Sequence, residues 1–118
     1  MSYPIFDMHC DTADRLAWQF LPGNIKQTCG MDFYGPGDAD DPSACRDLAS
    51  NHCHISLDKI GSMPWAQCFA CYVPDALSPE QATGFHGSVM SHLAHEVERN
   101  AGRVTPVASA SQLRGALE

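Results

Sequence analysis

The sequence predicts an α/β fold built on a parallel sheet. Short apolar runs of strand character stand at residues 5–8, 66–73 and 104–107, and the stretches that follow them show helical spacing. The middle run is apolar on both faces apart from Gln67, as expected of a strand covered on both sides. Strands that alternate with helices imply crossover connections and hence parallel pairing.

Each element has its own grounds. Ile5, Phe6 and Met8 form a run too short for a helix, preceded by Pro4. Residues 14–20 then place Leu16, Ala17 and Phe20 at helical spacing, stopped by Leu21-Pro22-Gly23. Residues 30–42 hold three glycines, two prolines and four aspartates, the chemistry of a flexible loop. Residues 44–49 suit a helical turn or two. A brief helix over 56–61 has Ser56 as N-cap and Gly61 as its close. The strand over 66–73 ends at Pro74. Ser78-Pro79-Glu80-Gln81 then opens a long helix: Ser78 caps, Pro79 suits the first position and Gln81 completes a capping box. Ala82, Phe85, Val89, Leu93 and Val97 give that helix one apolar stripe. Arg99 complements its carboxyl end, and Gly102 follows. A short strand over 104–107 and a helix over 109–118, with Ser109 and Gln112 as a second capping pair, complete the order. Leu113, Ala116 and Leu117 give this last helix an apolar face that needs a sheet to cover it.

Composition narrows the function classes. The 118 residues carry 14 acidic and 7 basic side chains, a formal charge of −7, and apolar residues make up 44%. One globular domain is expected. Nucleic acids and anionic membranes reward clustered Lys and Arg, which this chain lacks. No apolar run reaches the roughly 18 residues of a membrane span. The N-terminus shows no basic region followed by an apolar stretch, so a cytoplasmic protein is expected. Six cysteines permit a disulfide framework, a metal site, or reduced and largely buried thiols, and the last is the expectation.

His9-Cys10-Asp11 is the first candidate site, at the carboxyl end of the first strand, where parallel α/β folds place their chemistry. Residues two apart in extended chain share a side, so His9 and Asp11 can chelate one divalent metal while Cys10 packs inward. Cys68-Phe69-Ala70-Cys71, with Cys45, Cys53, His52 and His54, offers the raw material of a structural zinc site, but a C-x-x-C inside a strand lacks the turn a zinc knuckle needs. His92, His95 and Glu96 share the long helix without the spacing of a zinc-protease motif and read as a solvated face. His86 falls in the apolar stripe and reads as a core histidine. Aspartates 38–41 lack calcium-loop spacing.

Asp7-Met8-His9-Cys10-Asp11-Thr12, with Arg15-Leu16 after it, resembles the opening of the membrane dipeptidase (renal dipeptidase-like) family of amidohydrolase-type metal-dependent barrels. The resemblance continues through residues 51–59, through Ala66-Gln67-Cys68-Phe69-Ala70-Cys71-Tyr72-Val73-Pro74, and to Val107-Ala108-Ser109-Ala110, loosely over residues 23–49. It implies the N-terminal part of a (β/α)8 TIM-type barrel, about its first three βα units, which needs roughly 250 residues when whole. It further implies a two-zinc site that hydrolyses dipeptides, with His9 and Asp11 on the more buried metal. The family's bridging acidic ligand, later His ligands, catalytic Asp and carboxylate-binding Arg have no counterpart up to Glu118.

The expectation is therefore a single partial domain over 1–118, inactive alone, with no catalytic residue of its own and dipeptide as substrate of the complete enzyme. Open sheet edges would drive self-association, or complementation by the missing part. Two alternatives belong to other classes: a non-enzymatic α/β association module and a Cys/His zinc-stabilised domain.

Overall fold

A computed structural model describes residues 3–30 and 47–118. The loop expected over 30–42 beyond Gly30, aspartates 38–41, Cys45 and the start of the helical turn over 44–49 lie outside the described residues.

Two parallel strands form the sheet among the described residues: β1 (Ile5–Cys10) and β2 (Trp65–Phe69). Between them come α1 (Thr12–Ala17), a 3-10 turn (Trp18–Phe20), α2 (Gly23–Cys29) and α3 (Leu57–Ile60), and after them α4 (Pro79–Arg99) and α5 (Ala110–Leu117). The parallel pairing agrees with the alternation of strands and helices.

The local signals set most of these elements. Ser56 Oγ accepts from the Lys59 amide and Gly61 closes α3 at φ 62°, a conformation that favours glycine. At α4 both halves of the capping box form: Ser78 Oγ accepts from the Gln81 amide at 3.2 Å, and Gln81 Oε1 accepts from the Ser78 amide at 3.1 Å. At α5 Ser109 caps the Gln112 amide, while Gln112 Oε1 turns to the amide of Ala108.

Helix α4 packs its stripe on α1. Phe85 and Val89 join Ala13, Ala17, Leu21 and Ile25 in one buried cluster, flanked by Phe69 and Leu93. Leu16, Leu48 and Cys53 form a second cluster, flanked by Leu57, Val97 and Val104. Burying side chains the size of Phe85, Leu16 or Val89 contributes about 1.5–3 kcal/mol each.

Four expectations are corrected. Pro22-Gly23 begins a helix as well as ending one: the Pro22 carbonyl accepts from Ile25 and Lys26, and Ile25 enters the core. A proline has no amide to waste at a helix start, so the same dipeptide serves both purposes. β2 ends at Phe69, four residues early, because the Tyr72 amide goes to Asp14 Oδ2 at 2.9 Å instead of to a strand. Residues 104–107 form no strand: the Val104 amide bonds to the Asn100 carbonyl and Pro106 has none to give. The described part of the turn over 44–49 bends without becoming helical.

The sheet is less covered than its sequence implies. Phe6 is 50% exposed and Met8 76%, and Cys68 on β2 is exposed as well. α5 buries no residue, and its Leu113 and Leu117 are half-buried.

Candidate metal centre

β1 carries His9 to the carboxyl end of the sheet, and the chain turns into α1 at Asp11. Asp is a favoured N-cap, yet the Asp11 carboxylate makes no cap to α1. It turns instead to His9, whose Nε2 lies 3.0 Å from Asp11 Oδ1. The two side chains are 65% and 43% exposed, so the pair adds little to stability. Cys10 between them is buried, at 2% exposure, as the alternation of side chains requires.

The ladder is irregular at this point. Asp7 pairs with Gln67 and Cys10 with Phe69, so Met8 and His9 stand opposite Cys68 alone. An extra residue of this kind redirects the side chains around it. Just before the irregularity, Gln67 Nε2 donates to Asp7 Oδ2 at 2.8 Å, and Gln67 Oε1 accepts from Trp65 Nε1 at 2.9 Å. Asp7 Oδ1 in turn faces the His9 amide at 3.5 Å. Just after it, the Ala70 amide donates to the Cys10 carbonyl at 3.0 Å. Thr12 Oγ1 accepts from the Ile55 amide at 3.2 Å, and Asp14, buried in the first turn of α1, holds the Tyr72 amide. The end of β1 is thus fixed from β2, from the segment after β2 and from residues 51–55.

The spacing of His9 and Asp11 suits one metal ion. Two donors each about 2.0–2.2 Å from a tetrahedral zinc stand about 3.3 Å apart, close to the separation here. The donor types, imidazole and carboxylate, also suit zinc. Among the described residues no group of three His, Cys, Asp or Glu comes together, so the pair would offer a zinc ion two ligands where a catalytic zinc takes three from protein.

The other candidates fare differently. Cys53 is buried in the cluster with Leu16 and Leu48, while His52 and His54 on either side of it are exposed. Cys68 is exposed on β2, and Cys71 lies beyond the strand end, packed against the core. Burial, and then the nearby Asp14 carboxylate, push the Cys71 thiol up to about 11, and burial also raises Cys10 and Cys29. These thiols stay protonated near neutrality, which makes them poor nucleophiles.

His86 is exposed, which corrects its reading as a core histidine: the stripe of α4 narrows to Phe85 and Val89 there, and position 86 turns outward. His95 is exposed as expected, but His92 is half-buried and its ring lies 4.6 Å from that of Phe20. His92 and His95 line an open hollow of about 1000 Å³ with Ser88, Ser91 and Arg99; His9 and Asp11 are not part of it. Glu96 is fully buried at its edge. Its Oε1 accepts from the Leu48 amide at 2.9 Å and its Oε2 from Arg99 at 2.8 Å, so it serves the fold.

The sequence missed Asp7, Gln67 and Trp65. The available signal was Gln67, the polar residue in an otherwise apolar run; its partner Asp7 is 60 positions away, a distance no local pattern spans.

No known protein family, no curated protein and no solved structure matches this chain. Among the described residues, no helix is long and apolar enough to cross a membrane.

Proposed function

We propose that this chain contributes the first two metal ligands, His9 and Asp11, to a zinc-dependent hydrolase of the dipeptidase type, in the cytoplasm. The observation that carries the reading is the convergence of His9 Nε2 and Asp11 Oδ1 to 3.0 Å at the carboxyl end of a parallel strand, with Asp11 giving up its helix cap. The resemblance of residues 7–12, 51–59 and 66–74 to the membrane dipeptidases supports it, and supports the beginning of a (β/α)8 barrel as the setting. A bound zinc would polarise the peptide carbonyl and lower the pKa of its water. The part of the chain itself is to hold that ion: β1 presents the imidazole, the turn into α1 presents the carboxylate, and the buried Cys10 locks the backbone between them. The remaining ligands and the groups that bind dipeptide come from a complementing segment.

Zinc titration followed by histidine ring NMR tests this. Among the histidines, the His9 resonances shift first, and His9→Ala or Asp11→Ala weakens that binding at least tenfold. Equal binding by wild type and both variants overturns the reading. The 118-residue chain alone shows no zinc-dependent dipeptide cleavage; measurable cleavage would show that the two ligands suffice.

A second reading, an association module, is favoured by one observation. Phe6 and Met8 are 50% and 76% exposed along β1, a strand whose parallel pairing calls for cover on both faces, and Tyr3 just before it is 81% exposed. Sedimentation of the chain then shows self-association, or heteroassociation with a complementing segment; a well-folded monomer at high concentration counts against it.

A further inference from the structure

We propose that Gln67 is a positioning residue for the His9–Asp11 pair, acting through Asp7; as a metal-binding role it rests on the function proposed above. Gln67 sits opposite Asp7 in the last regular pair of the ladder before the irregularity that carries His9. Its amide cannot flip. Trp65 Nε1 is a donor only, so it holds Gln67 to presenting Oε1 on that side and Nε2 on the other. Nε2 thus points at Asp7 Oδ2, 2.8 Å away, and also meets the Asp7 carbonyl at 3.4 Å and the Cys68 carbonyl at 3.1 Å. Both the side chain and the backbone of Asp7 are therefore held by β2. The next two residues, Met8 and His9, have one partner position between them, so the backbone there has freedom that a regular ladder would remove. The Asp7 clamp is the fixed point from which His9 leaves, and its Oδ1 faces the His9 amide. The polar chain Trp65–Gln67–Asp7 does for the direction of His9 what outer hydrogen bonds do for metal-binding histidines generally.

The inference separates three variants. In Gln67→Met the volume stays and the tether is lost. In Asp7→Asn the tether survives, because the amide oxygen still accepts from Gln67 Nε2, while the charge and the long contact of Oδ1 with the His9 amide go. In Asp7→Ala both go. Ring 15N spectra of the metal-free chain at a fixed pH of 7.5 read the result directly. In wild type and Asp7→Asn the His9 Nε2 signal carries the mark of its contact with Asp11. In Gln67→Met and Asp7→Ala it moves to the position of the exposed His52. Zinc affinity at His9 falls about tenfold in the same two variants and stays within twofold in Asp7→Asn. An unchanged His9 signal in Gln67→Met overturns the inference whatever the metal does. A strong loss of affinity in Asp7→Asn overturns it also, since Asp7 would then act as a ligand, by its charge or through the His9 amide, and not through its tether to Gln67. A normal set of 15N shifts in a wild-type chain that takes no zinc at His9 overturns only the metal reading. Helical circular dichroism of each variant at the temperature of measurement confirms that a folded chain is being read.

Discussion

Replacing Glu96 with alanine removes the acceptor that joins α4 to the backbone at Leu48. Glu96 is 0% exposed and the Leu48 residue whose amide it accepts is 1% exposed, so no water replaces the lost oxygen. An unpartnered buried amide costs about 1–3 kcal/mol. The one buried methylene removed adds about 0.8 kcal/mol. Relief of the buried carboxylate's desolvation offsets part of this. Arg99 contributes little to the balance, because it is exposed and keeps its second partner, Asp47 Oδ1 at 2.9 Å. The expected loss is about 1–3 kcal/mol, seen in urea unfolding as a lower midpoint at unchanged slope. Glu96→Gln keeps an oxygen for Leu48 and should lose less than half as much. An alanine variant within 0.5 kcal/mol of wild type refutes the burial reasoning. A glutamine variant as damaged as the alanine refutes the primacy of the Leu48 amide and assigns the effect to charge.

Two further outcomes follow from local geometry. Ser78→Ala removes the cap of α4 and lowers stability by about 0.5–2 kcal/mol, read by thermal melting; no change would mean that tertiary packing alone fixes the start of that helix. Because burial raises the Cys71 thiol from 9.0 to about 11, the folded state disfavours its ionisation: that stability is complete below pH 9 and is lost as pH rises from 9 to 11. At pH 8 iodoacetamide therefore labels the exposed Cys68 well before Cys71, Cys10 or Cys53 in the folded chain; mass mapping that finds Cys71 modified first contradicts the burial assigned to it.

The sequence was most informative where a residue acts on its own neighbours. Ser56, Ser78 and Ser109 cap their helices because a hydroxyl three residues from an amide needs no tertiary help. The stripe of α4 and the pairing of His9 with Asp11 were legible for the same reason: helical and extended periodicities fix which side chains share a side. The misreadings arose from competition for backbone amides. Asp14 takes the amide that would have extended β2, and Asn100 takes the one that would have begun a strand at Val104. His86 read as buried because a stripe drawn on a wheel has no width until a partner helix covers it.

By itself, then, the sequence determined the capped starts of α3, α4 and α5, the apolar stripe and the shared side of His9 and Asp11 at the end of β1, all consequences of spacing within a few residues. Tertiary structure alone decided which buried carboxylates serve the fold, where the strands stop and how β1 is aimed. Asp7 and Gln67 meet across 60 positions, and Leu48 and Glu96 across 48. A hydrogen bond between such groups depends on the path of the whole chain between them, which spacing along the sequence does not encode.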